Sequence, residues 1–486
     1  MTDDTLSFKS ATELARMVRD KKIGAVELTR HFIARIERFD GAINAVVVRD
    51  FERALADAKK ADVALGAGKT AGALHGVPMT VKESFNLKGH PTTWGGVGFK
   101  DDIASEDAEA VRRLKRAGAI VLGKSNVPFM LGDFQAYNEI YGQTGNPWDL
   151  SRTPGGSSGG SAAALAAGMS GLEFGSDIGG SIRNPAHFCG VYGHKPSWNI
   201  VPIDGHALPG MEGTPDLAVV GPLARSAEDI SVALDVTAGP GNMTGPGWKL
   251  DLPPSRATSL RGLRVAVWHS DDVAPVDAAV SDRLQESADL LAREGATVSD
   301  SARPEFDPAE ARRVYVALLN SVVGSGVPDE MYEQNRRTAA AFAASDTSRP
   351  AEMARSMVLD HRAWLMSNAR RTRIRRAWNA FFGSWDILLC PIMSTTAFAH
   401  DHGPMPARTL TVNGRAQPYF DQIFWASLAT TAFLPATVFP TGPAADGLPV
   451  GLQAIGAEHG DRTTIEVARL LGEAFGGFRP PPGYAN

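Results

Sequence analysis

Only two cysteines, Cys189 and Cys390, occur in 486 residues, far apart and each among apolar neighbours. That excludes a disulfide framework and a cysteine-rich zinc site, and predicts two buried free thiols in a reducing compartment. His400-Asp401-His402 is too short and isolated to read as more than a polar loop, so no metal is expected. No apolar run is long enough to span a bilayer, and the start, MTDDTLSFKS, lacks a basic flank and an apolar core, so a cytoplasmic protein without membrane contact is expected. Nor is there a surplus of positive charge: the formal net charge is −5, which argues against a nucleic-acid partner. The one basic run, Arg370 to Arg376, falls in a stretch of helical character and reads as a solvated or ion-paired helix face.

What remains is ample for a large soluble fold, with 43% hydrophobic and 21% charged residues. Helical spacing dominates from Ala11 to about Ala64, broken by a β-rich run at Ala45 to Val48. Leu74 to Val81 reads as a strand, Asp107 to Ala117 as an amphipathic helix, and Ala119 to Gly123 as the strand after it. Leu263 to Trp268, Ala278 to Arg293 and Ala296 to Val298 form a β-α-β unit, preceded by a Gly- and Pro-rich shift at Gly239 to Ser255. Further strands are expected at Ile387 to Leu389 and Ala436 to Phe439. This alternation predicts an α/β fold, read as one domain over 1–486 with a mostly helical, substrate-facing excursion at about 309–382.

Chemistry concentrates between Arg152 and Arg183, where RTPGGSSGGSAAALAAGMSGLEFGSDIGGSIR holds Gly-framed serines around an Ala-rich helical run. No lysine precedes Ser161 or Ser181 as a phosphate-binding loop requires. Gly155-Gly156-Ser157-Ser158-Gly159 matches GxSxG, the nucleophile elbow, but a Gly/Ser loop before a helix would match it too. Lys82 ends the apolar run HGVPMTVKES. A strand-end lysine ordinarily snorkels to water, whereas a buried one is driven towards the neutral form and can act as a base. In Ser176-Asp177-Ile178-Gly179-Gly180-Ser181, two glycines before a serine can turn successive N–H groups to one point, an oxyanion site beside a nucleophile.

Three segments, GVPMTVKES, NPWDLSRTPGGSSGGSAAALAAG and GSDIGGSIRNPAHFCGVYGHKPS, resemble the amidase signature family. The resemblance extends from the N-terminal helices to the GLPVGLQAIG run at Gly447 to Gly456. It implies a large mixed twisted β-sheet surrounded by helices and a Ser-cisSer-Lys triad. Ser181 matches the acylated nucleophile, Ser157 the bridging serine preceded by a cis peptide bond, and Lys82 the base. The N–H groups of Ile178, Gly179, Gly180 and Ser181 would form the oxyanion hole. Ser158, Asp177 and Arg183 match positions that hold the loops, and Cys189 reads as inert packing. The implied activity is hydrolysis of an amide C–N bond, with ester or carbamate cleavage sharing the same intermediate.

The family includes the glutamine-hydrolysing component of a tRNA-dependent amidotransferase, which carries an Asp in a D-x-F-T run for its amino acid. Phe420-Asp421-Gln422-Ile423-Phe424-Trp425-Ala426 does not reproduce that run, although Asp421 could be a displaced equivalent. The bulky Phe424 and Trp425 fit an apolar pocket, and the expectation is an amidase for apolar or aryl amides, with the glutamine-hydrolysing amidotransferase component as the alternative. Met130, Leu131 and Phe134, in SNVPFMLGDFQAYNEIYGQT, are candidates to line that pocket with Trp425; core packing is the rival reading for Phe134. A small-molecule amide is the expected partner, no cofactor is implied, and a homodimer is allowed.

Overall fold

The computed structural model describes residues 4–211, 213–241, 243 and 245–485. Its centre is an 11-stranded mixed sheet. In chain order the strands are β1 (Val46–Arg49), β2 (Pro78–Lys82), β3 (Ile120–Ser125), β4 (Glu173–Asp177), β5 (Tyr192–Lys195), β6 (Val219–Ala224), β7 (Arg264–Val267), β8 (Thr297–Ser299), β9 (Ile387–Cys390), β10 (Ala436–Pro443) and β11 (Pro449–Ile455). Across the sheet they run β1-β3-β2-β4-β6-β5-β10-β11-β9-β7-β8. The β3-β2-β4 and β9-β7-β8 groups are parallel, while the other neighbours are antiparallel. Fourteen α-helices surround the sheet among the described residues.

Central strands are covered on both faces, which is why β2, β3, β4 and β6 are buried at every position; β6 is mostly apolar, whereas β4, Glu173-Phe174-Gly175-Ser176-Asp177, buries two carboxylates. The β2 run begins later than the sequence implies: His75 and Gly76 form a turn, and the strand starts at Pro78. The Ala-rich segment forms the helix Gly159–Ala166, buried along its whole length because its small side chains allow close approach. The β-α-β unit appears as β7, the helix Ala278–Arg293 and β8. Residues 309–382 fall within four helices, Pro308–Ser325, Asp329–Ala340, Arg349–Ser356 and His361–Ser384, and their connections.

Both cysteines are free and buried, and burial raises each thiol's pKa, so neither is a ready nucleophile. The basic run lies on His361–Ser384, where Arg371 is buried on Asp216 at 2.6 Å and Arg375 pairs with Glu458 at 2.7 Å. No helix of the described residues is long and apolar enough to cross a membrane.

Candidate active site

Two parallel strands set the place. β2 and β4 point the same way, so Lys82 and Asp177 finish at the same edge, where loops after strands gather chemistry in open α/β sheets. Lys82 is fully buried, with Nζ 2.6 Å from Ser157 Oγ and 2.9 Å from Ser176 Oγ. Burial is the main force on the amine and favours its neutral form; Asp177, Glu83 and Glu173 oppose it, and the pKa falls to about 7.

Ser157 sits just before the helix Gly159–Ala166, and the Gly156–Ser157 peptide bond is cis. A side chain on Gly156 would run into the Asp133 and Gln135 carbonyls, so the 133–135 segment backs this bond directly. Ser181 follows β4 and enters the short helix Arg183–Cys189. The two serine loops meet through their backbones, Ser158 N–H donating to the Ser181 carbonyl at 3.1 Å. Ser158 Oγ adds a longer bond, 3.4 Å, to the Ser176 carbonyl.

The loop between β4 and Ser181 is clamped by Asp177 and Arg183, both fully buried. Arg183 meets the carboxylate in a fork, Nε to Oδ2 at 3.0 Å and Nη2 to Oδ1 at 2.9 Å, and its remaining donors reach the Ala426 carbonyl, Gln453 and Thr430. Burial, the largest single influence, would raise the Asp177 carboxyl, but the Arg183 charge and hydrogen bonds, with Lys195 and the Gly180 N–H, together outweigh it and hold the group at about 2. Asp177 also accepts from the N–H groups of Gly180 at 2.9 Å and Ile182 at 3.1 Å. Of the four N–H groups expected to face an oxyanion, Gly180 is therefore already occupied. Those of Ile178, Gly179 and Ser181 donate to no protein acceptor among the described residues. Gly180 takes φ +98°, which turns the chain between the two sets and favours glycine.

The expected pocket residues divide. Trp425 is a correction: it is fully buried in the helix Ile423–Thr431, its indole N–H bonds the Ala274 carbonyl at 3.0 Å, and its ring packs edge-on against Trp268. It is core, as is Phe424, because that helix is buried at every position. Phe134 is also buried, against Tyr419 and Phe420. Met130 and Leu131 are half-buried on a backbone with φ +50° and +57°, and Met130 N–H bonds the Trp94 carbonyl at 2.7 Å.

Ile423, not singled out in the sequence, begins its helix with Cδ1 3.4 Å from where a Cβ on Gly179 would sit. Tyr315 Oη donates to the Ile178 carbonyl at 2.8 Å. Asp421 faces away from a role as a free carboxylate, held by Arg349 and, at 3.6 Å, by Arg312. Ser176 had a signal, a hydroxyl one residue before Asp177; Tyr315 and Ile423 had none, since nothing local ties them to the serine loops. Cavities of about 610 and 560 Å³ lie elsewhere, and neither is lined by Lys82, Ser157 or Ser181.

The Amidase family model matches residues 27–465. The chain belongs to the amidase family. It is 35% identical, over 96% of both chains, to the A component of the glutamyl-tRNA(Gln) amidotransferase of Anaeromyxobacter dehalogenans (strain 2CP-C). Six more relatives at 30–35% identity carry that same name. It is 32% identical to the indoleacetamide hydrolase of Bradyrhizobium diazoefficiens (strain JCM 10833 / BCRC 13528 / IAM 13628 / NBRC 14792 / USDA 110), over 95% of this amidase-family chain and 86% of the relative. A solved structure described as a vestigial protein complex, tied to the origins of an s-triazine catabolic enzyme, superposes with a TM-score of 0.81 at 29% identity, covering 97% of this chain and 100% of that one.

Proposed function

We propose that this chain cleaves amide C–N bonds through an acyl-enzyme on Ser181, with Ser157 bridging to Lys82 as the base. The observation that carries the reading is the 2.6 Å approach of a fully buried lysine amine to Ser157. As Ser181 Oγ attacks the amide carbon, its proton passes through Ser157 to the neutral Lys82 amine. The negative charge that forms on the carbonyl oxygen meets the N–H groups of Ile178, Gly179 and Ser181. Lys82, now an ammonium, returns the proton through Ser157 to the leaving nitrogen as the C–N bond breaks. Water then attacks the ester, losing its proton along the same path, and frees the acid and Ser181.

Two observations support an apolar or aryl acyl group in a stand-alone hydrolase, with carbamates and esters as further substrates. Ile423 presents an apolar side chain next to Gly179, and Asp421 is already neutralised by arginines. An α-amino group would need a free carboxylate to replace its hydration. The similarity to indoleacetamide hydrolase agrees with this reading.

Similarity as a whole favours the second reading, the glutamine-hydrolysing component of a tRNA-dependent amidotransferase, because most of the relatives compared carry that enzyme's name. The two readings share their chemistry and differ in partner. Purified chain should hydrolyse apolar primary amides or anilides without partners, and leave glutamine untouched. Glutaminase activity that appears only with the other amidotransferase components added, with no turnover of the apolar panel, would decide for the second. Ser181→Ala should abolish turnover in both cases; full activity in that variant would sink the shared chemistry.

A further inference from the structure

We propose that Tyr315 is a positioning residue for the oxyanion site, through which the helical excursion aims the Gly179 N–H. The inference rests on the Ser181 mechanism above. Tyr315 lies on the helix Pro308–Ser325 and is fully buried; its hydroxyl donates to the Ile178 carbonyl at 2.8 Å. That carbonyl and the Gly179 N–H belong to one peptide unit, which is planar and holds the two groups in opposite directions. Fixing the oxygen therefore fixes the direction of the N–H. A hydrogen bond accepted at the oxygen also polarises the unit and strengthens its donor.

The loop is thus held at two points by different parts of the molecule. Asp177, anchored by Arg183 inside the sheet, takes the Gly180 N–H on one side. Tyr315, 137 residues further on, takes the Ile178 carbonyl on the other. The Gly179 N–H lies between these anchors. The same hydroxyl is 3.3 Å from where a Cβ on Gly179 would sit, so a side chain there would crowd the tether. Burial, with Asp177 adding to it, raises the Tyr315 pKa above its ordinary value, so the hydroxyl keeps the proton it donates. A helix in the segment expected to face substrate is in this way joined to the group that would stabilise the developing charge.

A fluorophosphonate probe tests this without knowledge of the natural amide. Its reaction forms a Ser181 Oγ–P bond and expels fluoride, the serine proton passes to Lys82, and the phosphoryl oxygen takes the oxyanion position. In Tyr315→Phe the maximal labelling rate should fall about 10-fold, with the probe's apparent affinity within about two-fold of wild type. The pH midpoint of labelling should stay where Lys82 sets it. Asn320→Ala serves as control, because Asn320 lies on the same helix and bonds Ser356 at 2.8 Å without touching the loop. An unchanged maximal rate in Tyr315→Phe would overturn the inference. So would equal losses of rate in the two variants at equal losses of melting temperature, which would make the effect one of packing. Labelling that persists in Ser181→Ala would instead strike the mechanism on which the inference rests.

Discussion

An amine taken out of water loses much of its hold on a proton, and Lys82 is wholly out of water. Its pKa near 7 means that the ammonium form prevails below neutrality and cannot accept the serine proton. The rate should therefore fall about 10-fold per pH unit below about pH 6 and level off above about pH 8, a profile that kcat/KM measured from pH 5 to 9 would reveal. A rate flat down to pH 5 would remove Lys82 as the base. Ser157→Ala should retain a folded chain yet lose at least about 100-fold in kcat, because the proton path is interrupted while Ser181 and its N–H groups remain. At Asp177 the expected cost falls on the fold as well: Asp177→Ala leaves Arg183 as a buried, unpaired charge and should cost about 3–5 kcal/mol in urea unfolding.

Among the elements, the helix Ile423–Thr431 packs into the core and borders the loop before Ser181. Its first residue leans towards Gly179 while Trp425, two positions on, fills the interior behind it. Trp425→Ala should cost about 3–5 kcal/mol by opening a core cavity, with KM changes following the loss of stability. Ile423→Val, which trims one buried methylene beside Gly179, should instead cost only about 0.5–1.5 kcal/mol while raising KM for an apolar amide about 3-fold. A steady-state comparison of the two variants on one anilide separates packing from recognition. The mostly helical character of the excursion was legible in the sequence, though not its division into four helices. Their attachment was not: Tyr315 on Ile178, and Arg312 and Arg349 on Asp421, join residues more than 70 positions apart.

At the scale of the molecule, the buried lysines give the fold a pH dependence of its own. Burial lowers Lys82 and Lys195 to about 7, while the unfolded chain holds those protons up to the ordinary lysine value. Between these limits the unfolded state binds more protons, so this contribution to stability rises with pH above neutrality. Glu173 acts with the opposite sign. Burial raises it to about 7, so its contribution is present below its unfolded value and is lost as pH rises to about 7. Urea unfolding at pH 7, 8 and 9 should show increasing stability, and Lys195→Met should flatten that rise. An unchanged slope in Lys195→Met would assign the effect to other groups.

Local order was readable because it depends on neighbours in the chain. The alternation of strands and helices, the turn forced by two glycines before Ser181, and the pairing of GGSSGG with DIGGS and a strand-end lysine all stand in short segments. A resemblance carried by those segments brought Lys82, Ser157 and Ser181 together from sequence alone. Tertiary structure decided the rest. It buried Lys82 and so fixed the direction of its titration, gave the Gly180 N–H to Asp177, sent Trp425 into the core, and brought Ile423 and Tyr315 to the Ile178-Gly179 loop before Ser181. Burial and hydrogen bonding are set by whatever the fold lays against a group, and for these residues that neighbour comes from a distant part of the chain.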